Sequence, residues 1–303
     1  MSYLPFYITP EEFDEQCVVN KEQILKSTNI MHWIAKDVEH KNRYDRRLFC
    51  LYCTFAHLIF LTIVFGFDTS ILTFTYGNEY SNEYGFSLAI WGVIVISGYA
   101  GYLTYGLDDR YEYVFSNKGF FYSKQLDQPD WVNSVVQKIA YVACAFCVFA
   151  VVYIGPMALV GAGGSLLLAF GMTKKQTVYV DHRFSSTEQF LYAQFNRKRN
   201  VIALYHRFDM CDYGDTAHTI ISRDQTRSRS YVFFNSDDDM AKVLDLLKQN
   251  TNIKIEEITD IKGFFDFDYY PKFVLDIDVI GEQYSVDEAT SRRGEPAPVM
   301  SDS

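Results

Sequence analysis

The chain has 303 residues, of which 49% are hydrophobic and 22% charged, with a formal net charge of -10 at pH 7 and a mean hydropathy of -0.08. These averages fit an ordinary globular protein, and an acidic balance without a sustained basic stripe argues against nucleic-acid binding. They also hide a sharp partition of apolar and charged residues along the chain.

The N-terminal region opens on Thr9-Pro10-Glu11-Glu12, which supplies an N-cap, a proline at the first helical position and a glutamate three residues after the cap. Residues 21–47 are mostly helix-compatible, with Ile24, Leu25, Ile30, Met31, Trp33, Ile34 and Val38 as apolar members. Trp33 and the basic cluster Lys36, Lys41, Arg43, Arg46 and Arg47 suit a membrane headgroup zone. A helix packed on a cytoplasmic domain accounts for the same pattern. Residues 1–47 are thus expected to form a cytoplasmic helical region, and no basic segment announces a cleavable signal peptide.

Residues 48–67 and 84–107 are runs of 20 and 24 residues without a formal charge. Each would cross a hydrocarbon core about 30 Å thick as a helix, so 48–107 reads as a first transmembrane hairpin. A second uncharged run fills 139–173, with Gly155-Pro156 near its middle. It divides into arms over 139–154 and 157–172, a second hairpin that either crosses or re-enters. Lys and Arg flank these runs everywhere except in the 68–83 loop, which has none. The expectation is a multi-pass protein of the cell inner membrane with cytoplasmic N- and C-termini. Gly92, Ser97, Gly98, Gly101, Gly161, Gly163 and Gly164 would let the membrane helices approach closely. No charged residue falls inside a span, which weakens a transporter reading.

Between the hairpins, within the cytoplasmic segment 108–138, Tyr111, Tyr113 and Phe115 alternate with Glu112 and Val114, and Ser116-Asn117-Lys118-Gly119 leads into Phe120, Phe121 and Tyr122. This predicts a β-hairpin. In the mixed domain expected over 174–280, the short apolar runs 178–180, 201–205, 219–221 and 231–234 read as strands. Asn235 or Ser236 then caps a helix with Asp237, Asp238 and Asp239 in its first turn and Met240, Val243, Leu244 and Leu247 on one face. The aspartate triplet has its electrostatic reason at a helix start, ahead of any calcium site. Ile253 and Ile255 suggest one further strand. The predicted class is an α+β membrane protein: four transmembrane helices in two hairpins, with a cytoplasmic β-sheet domain closed by a helix.

Within 264–280, Phe265, Phe267 and Tyr269 alternate with Asp266 and Asp268, while Leu275, Ile277 and Val279 alternate with Asp276 and Asp278. Two strands would each present an aspartate face. Residues 264–303 hold 9 Asp or Glu against 3 Lys or Arg, a balance attracted to a basic protein surface. A solvated outer sheet face is the plainer explanation. The segment 281–303, rich in Ser, Glu, Pro and Arg, reads as a disordered tail.

Chemistry is sparse. The six cysteines are read as thiols. Cys50, Cys53 and His57 share a helical face and Cys144 with Cys147 repeats the spacing, yet small residues of this kind pack between helices more often than they hold metal. The six histidines are scattered, without HExxH, GxSxG or a phosphate loop. No catalytic, cofactor-binding or metal residue is predicted, no cofactor is implied, and the chain is read as a non-enzyme.

The order of membrane hairpin, 111–122 β-hairpin, short strands and closing helix over 237–249 resembles bacterial membrane-anchored PH-like domain proteins. The likeness is architectural and spans about residues 48–250. A second membrane hairpin departs from that pattern. By size, topology and lack of enzymatic motif the chain also resembles the polytopic immunity proteins that protect bacteria against their own membrane-active secreted toxins. The expected function is therefore that of a non-catalytic inner-membrane protein that binds a partner protein, with a toxin as the specific candidate. Membrane lipids and a homo-oligomer are the further expected associations. A channel or transporter component and a lipid-sensing PH-like module are the alternatives.

Overall fold

The computed structural model describes residues 3–27, 30–64, 99, 102–135, 137–138, 141, 145, 179–261, 263–266 and 269–298. The chain divides into two compact units. One comprises Met1–Arg43, Asp109–Gln125 and Val180–Ser303, and the other Tyr44–Asp108 and Leu126–Tyr179.

In the first unit, helix α1 (Pro10–Leu25) starts as its sequence dictates: Thr9 and Glu12 form a reciprocal capping box and Pro10 takes a position where its missing N–H costs nothing. The helix does not resume over residues 31–37. That stretch is strand β1 (Met31–Asp37), paired antiparallel with β2 (Asp109–Ser116) so that Trp33 faces Tyr113 and Ala35 faces Tyr111. Trp33 stacks between Tyr113 and Phe234, at ring-centroid distances of 5.1 Å to each, and its indole N–H donates to the Phe233 carbonyl at 2.8 Å. Those partners are distant in sequence, and their packing overrides the local helical pattern.

The predicted hairpin is present as β2 and β3 (Gly119–Leu126), joined through Asn117 and Lys118. Gly119 has φ +155°, and a Cβ there would lie 2.3 Å from the Ser185 carbonyl oxygen. Only glycine permits so close an approach of the neighbouring backbone. β4 (Asp181–Ser186) pairs antiparallel with β3 and completes a sheet of order β1-β2-β3-β4.

The second sheet has order β8-β5-β6-β7-β9. Its centre is a long ribbon of β6 (Val201–Tyr213) and β7 (Ile220–Phe233), in register from Val201 opposite Phe233 to Tyr213 opposite Ile221. β5 (Phe190–Asn196) pairs antiparallel with β6 and parallel with β8 (Lys254–Glu257). The runs 219–221 and 231–234, expected as separate strands, lie in or at the ends of one strand, because the polar residues between them make side-chain contacts instead of a turn.

Helix α3 (Asp237–Asn250) closes this sheet as predicted. Ser236 accepts a hydrogen bond from the Asp239 N–H, and Met240, Val243, Leu244 and Leu247 are buried. These four side chains join Tyr111, Tyr113, Phe120, Tyr122, Ile202, Leu204 and Phe233 in one hydrophobic core. The Tyr113 hydroxyl crosses that core, donating to the Tyr231 carbonyl at 2.8 Å and accepting from the Phe233 N–H at 3.3 Å.

The last part of the unit departs from expectation. Residues 263–266 and 269–278 form turns, irregular chain and the single-turn helix α4 (Lys272–Leu275), not two strands. Where composition suggests a disordered tail, β9 (Ile280–Ser285) pairs antiparallel with β7, and α5 (Val286–Ser291) begins with a capping box from Ser285 and Glu288. A second small core gathers Phe6, Tyr7, Ile8, Cys211, Ile221, Tyr284 and Ala289, so residues 6–8 and 284–289 meet at the far end of the β6–β7 ribbon.

In the second unit, α2 (Asp45–Val64) covers most of the first predicted span, and Arg47 at its start pairs with Asp108 at 2.9 Å. Among the described residues no helix is long and apolar enough to cross a membrane, and most of the regular structure outside α2 is sheet. The expected class of a four-helix membrane protein, and with it the placement as a multi-pass inner-membrane protein with both termini cytoplasmic, is corrected on that finding. Uncharged length by itself establishes neither a helix nor its surroundings. The arms over 139–154 and 157–172, nearly all of 84–101, and the packing residues Gly92, Ser97, Gly98, Gly101, Gly161, Gly163 and Gly164 lie outside the described residues, apart from isolated positions.

Candidate partner-contact surface

β7 carries a row of long polar side chains at every second position: Arg223, Gln225, Arg227, Arg229 and Tyr231. In a strand such residues share one face. Here each reaches carbonyl groups of chain that has no sheet partner of its own. Arg223 and Gln225 donate to the carbonyls of Pro5 and Leu4, at 3.3 and 2.9 Å. Arg227 donates to the carbonyls of Val274 at 2.9 Å and Ile277 at 3.0 Å, and also to that of Leu275. Arg229 binds the carbonyls of Tyr269, at 3.0 Å, and Asp266, while the Tyr231 hydroxyl donates to that of Phe264 at 2.7 Å.

The strap formed by residues 263–266 and 269–278 is therefore fixed from beneath through its backbone. Charged donors make strong hydrogen bonds to carbonyl groups, and Arg229 is held in turn against the rings of Tyr205, Tyr231 and Tyr270 at 5.8, 5.1 and 5.5 Å. Phe264 and Val274 are buried and pin the strap to the core. Its other side faces solvent: Tyr269, Phe273 and Leu275 are 49%, 42% and 47% exposed, and Asp266, Asp276 and Asp278 are exposed beside them. Of the four predicted aspartates the structure places these three on one strap, without the sheet expected for them. Asp268 lies outside the described residues. Nothing in the sequence marks these arginines as strap donors, although their alternation in 223–231 is the period of a strand.

Among the described residues, recesses adjoin the sheets at two places. One, of about 70 Å³, is lined by Glu39, Lys124, Asp181, Arg183 and Arg229 among others. Lys124 pairs there with Glu39 at 3.1 Å and Arg183 with Asp181 at 3.1 Å, while Arg229 is bound to the carbonyls of Tyr269 and Asp266. The other, of about 110 Å³, lies between α1, β4 and β6, with Phe13, Phe184 and Phe208 in its wall.

Among the described residues, burial withdraws several titratable side chains from solvent. His206 is 1% exposed, and burial depresses its imidazole pKa to about 4. Its Nδ1 lies 3.0 Å from the Arg207 carbonyl, which can only accept, so Nε2 of the neutral ring accepts from Ser230 Oγ at 2.9 Å. Cys17 and Cys211 are raised by burial to about 12 and 11, away from the thiolate form that reacts. Cys50 is likewise raised by burial. Among the described residues no three His, Cys, Asp or Glu side chains converge as a metal site. Cys144 and Cys147 lie outside them.

Exposed aromatic and aliphatic side chains flanked by carboxylates on a fixed backbone have the composition of a protein-contact surface, and the comparisons with known proteins agree with that class. The chain belongs to the TsiV2 immunity protein family, whose model matches residues 14–274. It is similar to the immunity protein TsiV2 of Vibrio cholerae serotype O1 (strain ATCC 39315 / El Tor Inaba N16961), with 38% identity over 106 residues, covering 31% of this chain and 43% of that protein. The chain thus spans less than half the length of this curated relative. No solved structure matches. The expected likeness to membrane-anchored PH-like proteins finds no support in these comparisons. The resemblance to immunity proteins holds at the level of the family.

Proposed function

We propose that this chain protects the cell that makes it by binding a toxin, and that it does so by occupying the toxin's surface without transforming it chemically. The match to an immunity protein family over residues 14–274 carries this reading. The sealed positions of His206 and of the Cys211 thiol support the non-catalytic part, since a group that meets neither substrate nor water is a poor acid, base or nucleophile. Asp266, Asp268, Asp276 and Asp278 are proposed as partner-binding residues. The exposure of three of them on a fixed strap supports that assignment.

The test is contact competition between sibling cells. A strain from which the chain has been deleted, grown in contact with its unmodified parent, is expected to lose viability. Re-expression of the full chain restores it. Equal survival of the deleted and parental strains under conditions where the parent kills unrelated competitors would refute the proposal.

A further inference from the structure

The proposed function does not by itself say which part of the chain meets the toxin or what the toxin presents. Resting on that reading, we infer that the strap of residues 263–266 and 269–278 is the docking ridge, and that its occupant is a basic face of the toxin that offers apolar pockets to Tyr269, Phe273 and Leu275.

Order is the first argument. A surface segment without sheet pairing ordinarily loses conformational entropy when a partner fixes it. This one is fixed beforehand by Arg227, Arg229 and Tyr231, which bind six of its carbonyl groups between Phe264 and Ile277. Such an investment of arginine and tyrosine donors in main-chain carbonyls holds the ridge in one shape, and a preformed shape is what a contact surface needs.

Direction is the second. The strap places Phe264 and Val274 inward and Tyr269, Phe273 and Leu275 outward. Phe273 also meets the Tyr192 ring edge-on, at 4.6 Å between centroids, so a half-exposed aromatic is held in place at its base. Large apolar side chains that are both outward and restrained have the character of interface anchors.

Charge is the third and selects the partner. Lys272 is the one cation between residues 263 and 279, against Asp266, Asp268, Asp276 and Asp278. Arg229, 8% exposed, and Arg227, half-buried, lie beneath the strap with donors directed at its carbonyls, while the described carboxylates face solvent. Among the described residues neither Asp276 nor Asp278 forms an ion pair. The outward field is negative, and a like-charged or neutral partner would gain nothing from it.

The experiment uses the full chain in the sibling-contact assay. Two variants are compared with wild type: Tyr269→Ala/Phe273→Ala, and Asp266→Asn/Asp276→Asn/Asp278→Asn. Each is expected to lower survival by roughly tenfold or more, with the thermal midpoint of the purified chain unchanged. Removing as many carboxylates elsewhere, by Glu15→Gln/Asp245→Asn/Asp287→Asn, is expected to leave survival at the wild-type level. The charge-keeping set Asp266→Glu/Asp276→Glu/Asp278→Glu is expected to protect. If wild type itself fails to protect, the immunity reading and this inference fall together. If wild type protects and both strap variants protect equally well, the inference alone is overturned. A loss of survival that merely follows a lowered thermal midpoint also overturns it, since the loss is then one of folding.

Discussion

His206 shows how a single buried group sets a condition on the fold. Its imidazole is held neutral between the Arg207 carbonyl and Ser230, with the Phe120 ring edge-on at 5.6 Å. Burial lowers its pKa from 6.5 to about 4. Above pH 6.5 both folded and unfolded chains hold it neutral, and its contribution is complete. As pH falls from 6.5 towards 4 the unfolded chain takes up a proton that the folded chain refuses, and stability is lost, on the order of 3 kcal/mol over the window. Urea unfolding followed between pH 7.5 and 4 should show that slope. His206→Gln should flatten it.

The ion pair of Arg223 with Asp209, at 3.0 Å and with side chains 0% and 5% exposed, is the second such case. Burial raises the Asp209 carboxyl above its ordinary pKa in spite of the neighbouring guanidinium. The pair is therefore held against a desolvation cost, and its members depend on each other. Arg223→Met leaves Asp209 buried without its cation and is expected to cost about 3–5 kcal/mol, read as a lowered urea midpoint at pH 7. None of this was legible in the sequence, where Arg223 is one of several charges in a polar stretch. Only the strand period of 223–231 signals that they share a face.

Among the elements, those with local causes were read well. The caps of α1 and α3 and the glycine turn of the β2–β3 hairpin act over three or four residues, so the sequence displays cause and effect together. Ser236→Ala should cost about 1 kcal/mol through the lost α3 cap. Gly119→Ala, which drives a Cβ against the Ser185 carbonyl, should cost about 2 kcal/mol or more. Chemical denaturation resolves both. β1 was misread as helix because its pattern is satisfied by either period, and the decision came from Tyr113 and Phe234, far away in the chain. The strap was misread as two strands for the complementary reason: its alternation is real, but its backbone carbonyls go to arginine side chains and not to a neighbouring strand.

At the scale of the molecule, residues 3–8 and 280–289 close the first unit at the end of its long ribbon. Residues Tyr3 to Ile8 run along the β6–β7 ribbon, and the Tyr284 hydroxyl of β9 bonds to the Phe6 and Ile8 carbonyls at 2.8 and 3.1 Å. Tyr284→Phe removes these bonds while keeping the ring, and is expected to cost about 1–3 kcal/mol. Hydrogen exchange should show the loss concentrated in residues 4–8 and 280–291, ahead of the main core. Exchange that rises uniformly instead would mean that the two cores unfold as one.

What the sequence determined by itself is what acts at short range or through bulk composition: the acidic balance, the helix caps, the β2–β3 hairpin, the buried face of α3, and the concentration of aspartates near the C-terminus. The tertiary structure decided the pairing of β1, the fusion of two predicted strands into β7, the ordering of the C-terminal segment, and the support of the strap by alternate residues of one strand. The physical reason is one of range. A cap or a turn is satisfied within a few residues, whereas a carbonyl in an unpaired segment is satisfied by whichever donor folding brings to it, and for the strap those donors lie about 40 residues earlier in the chain.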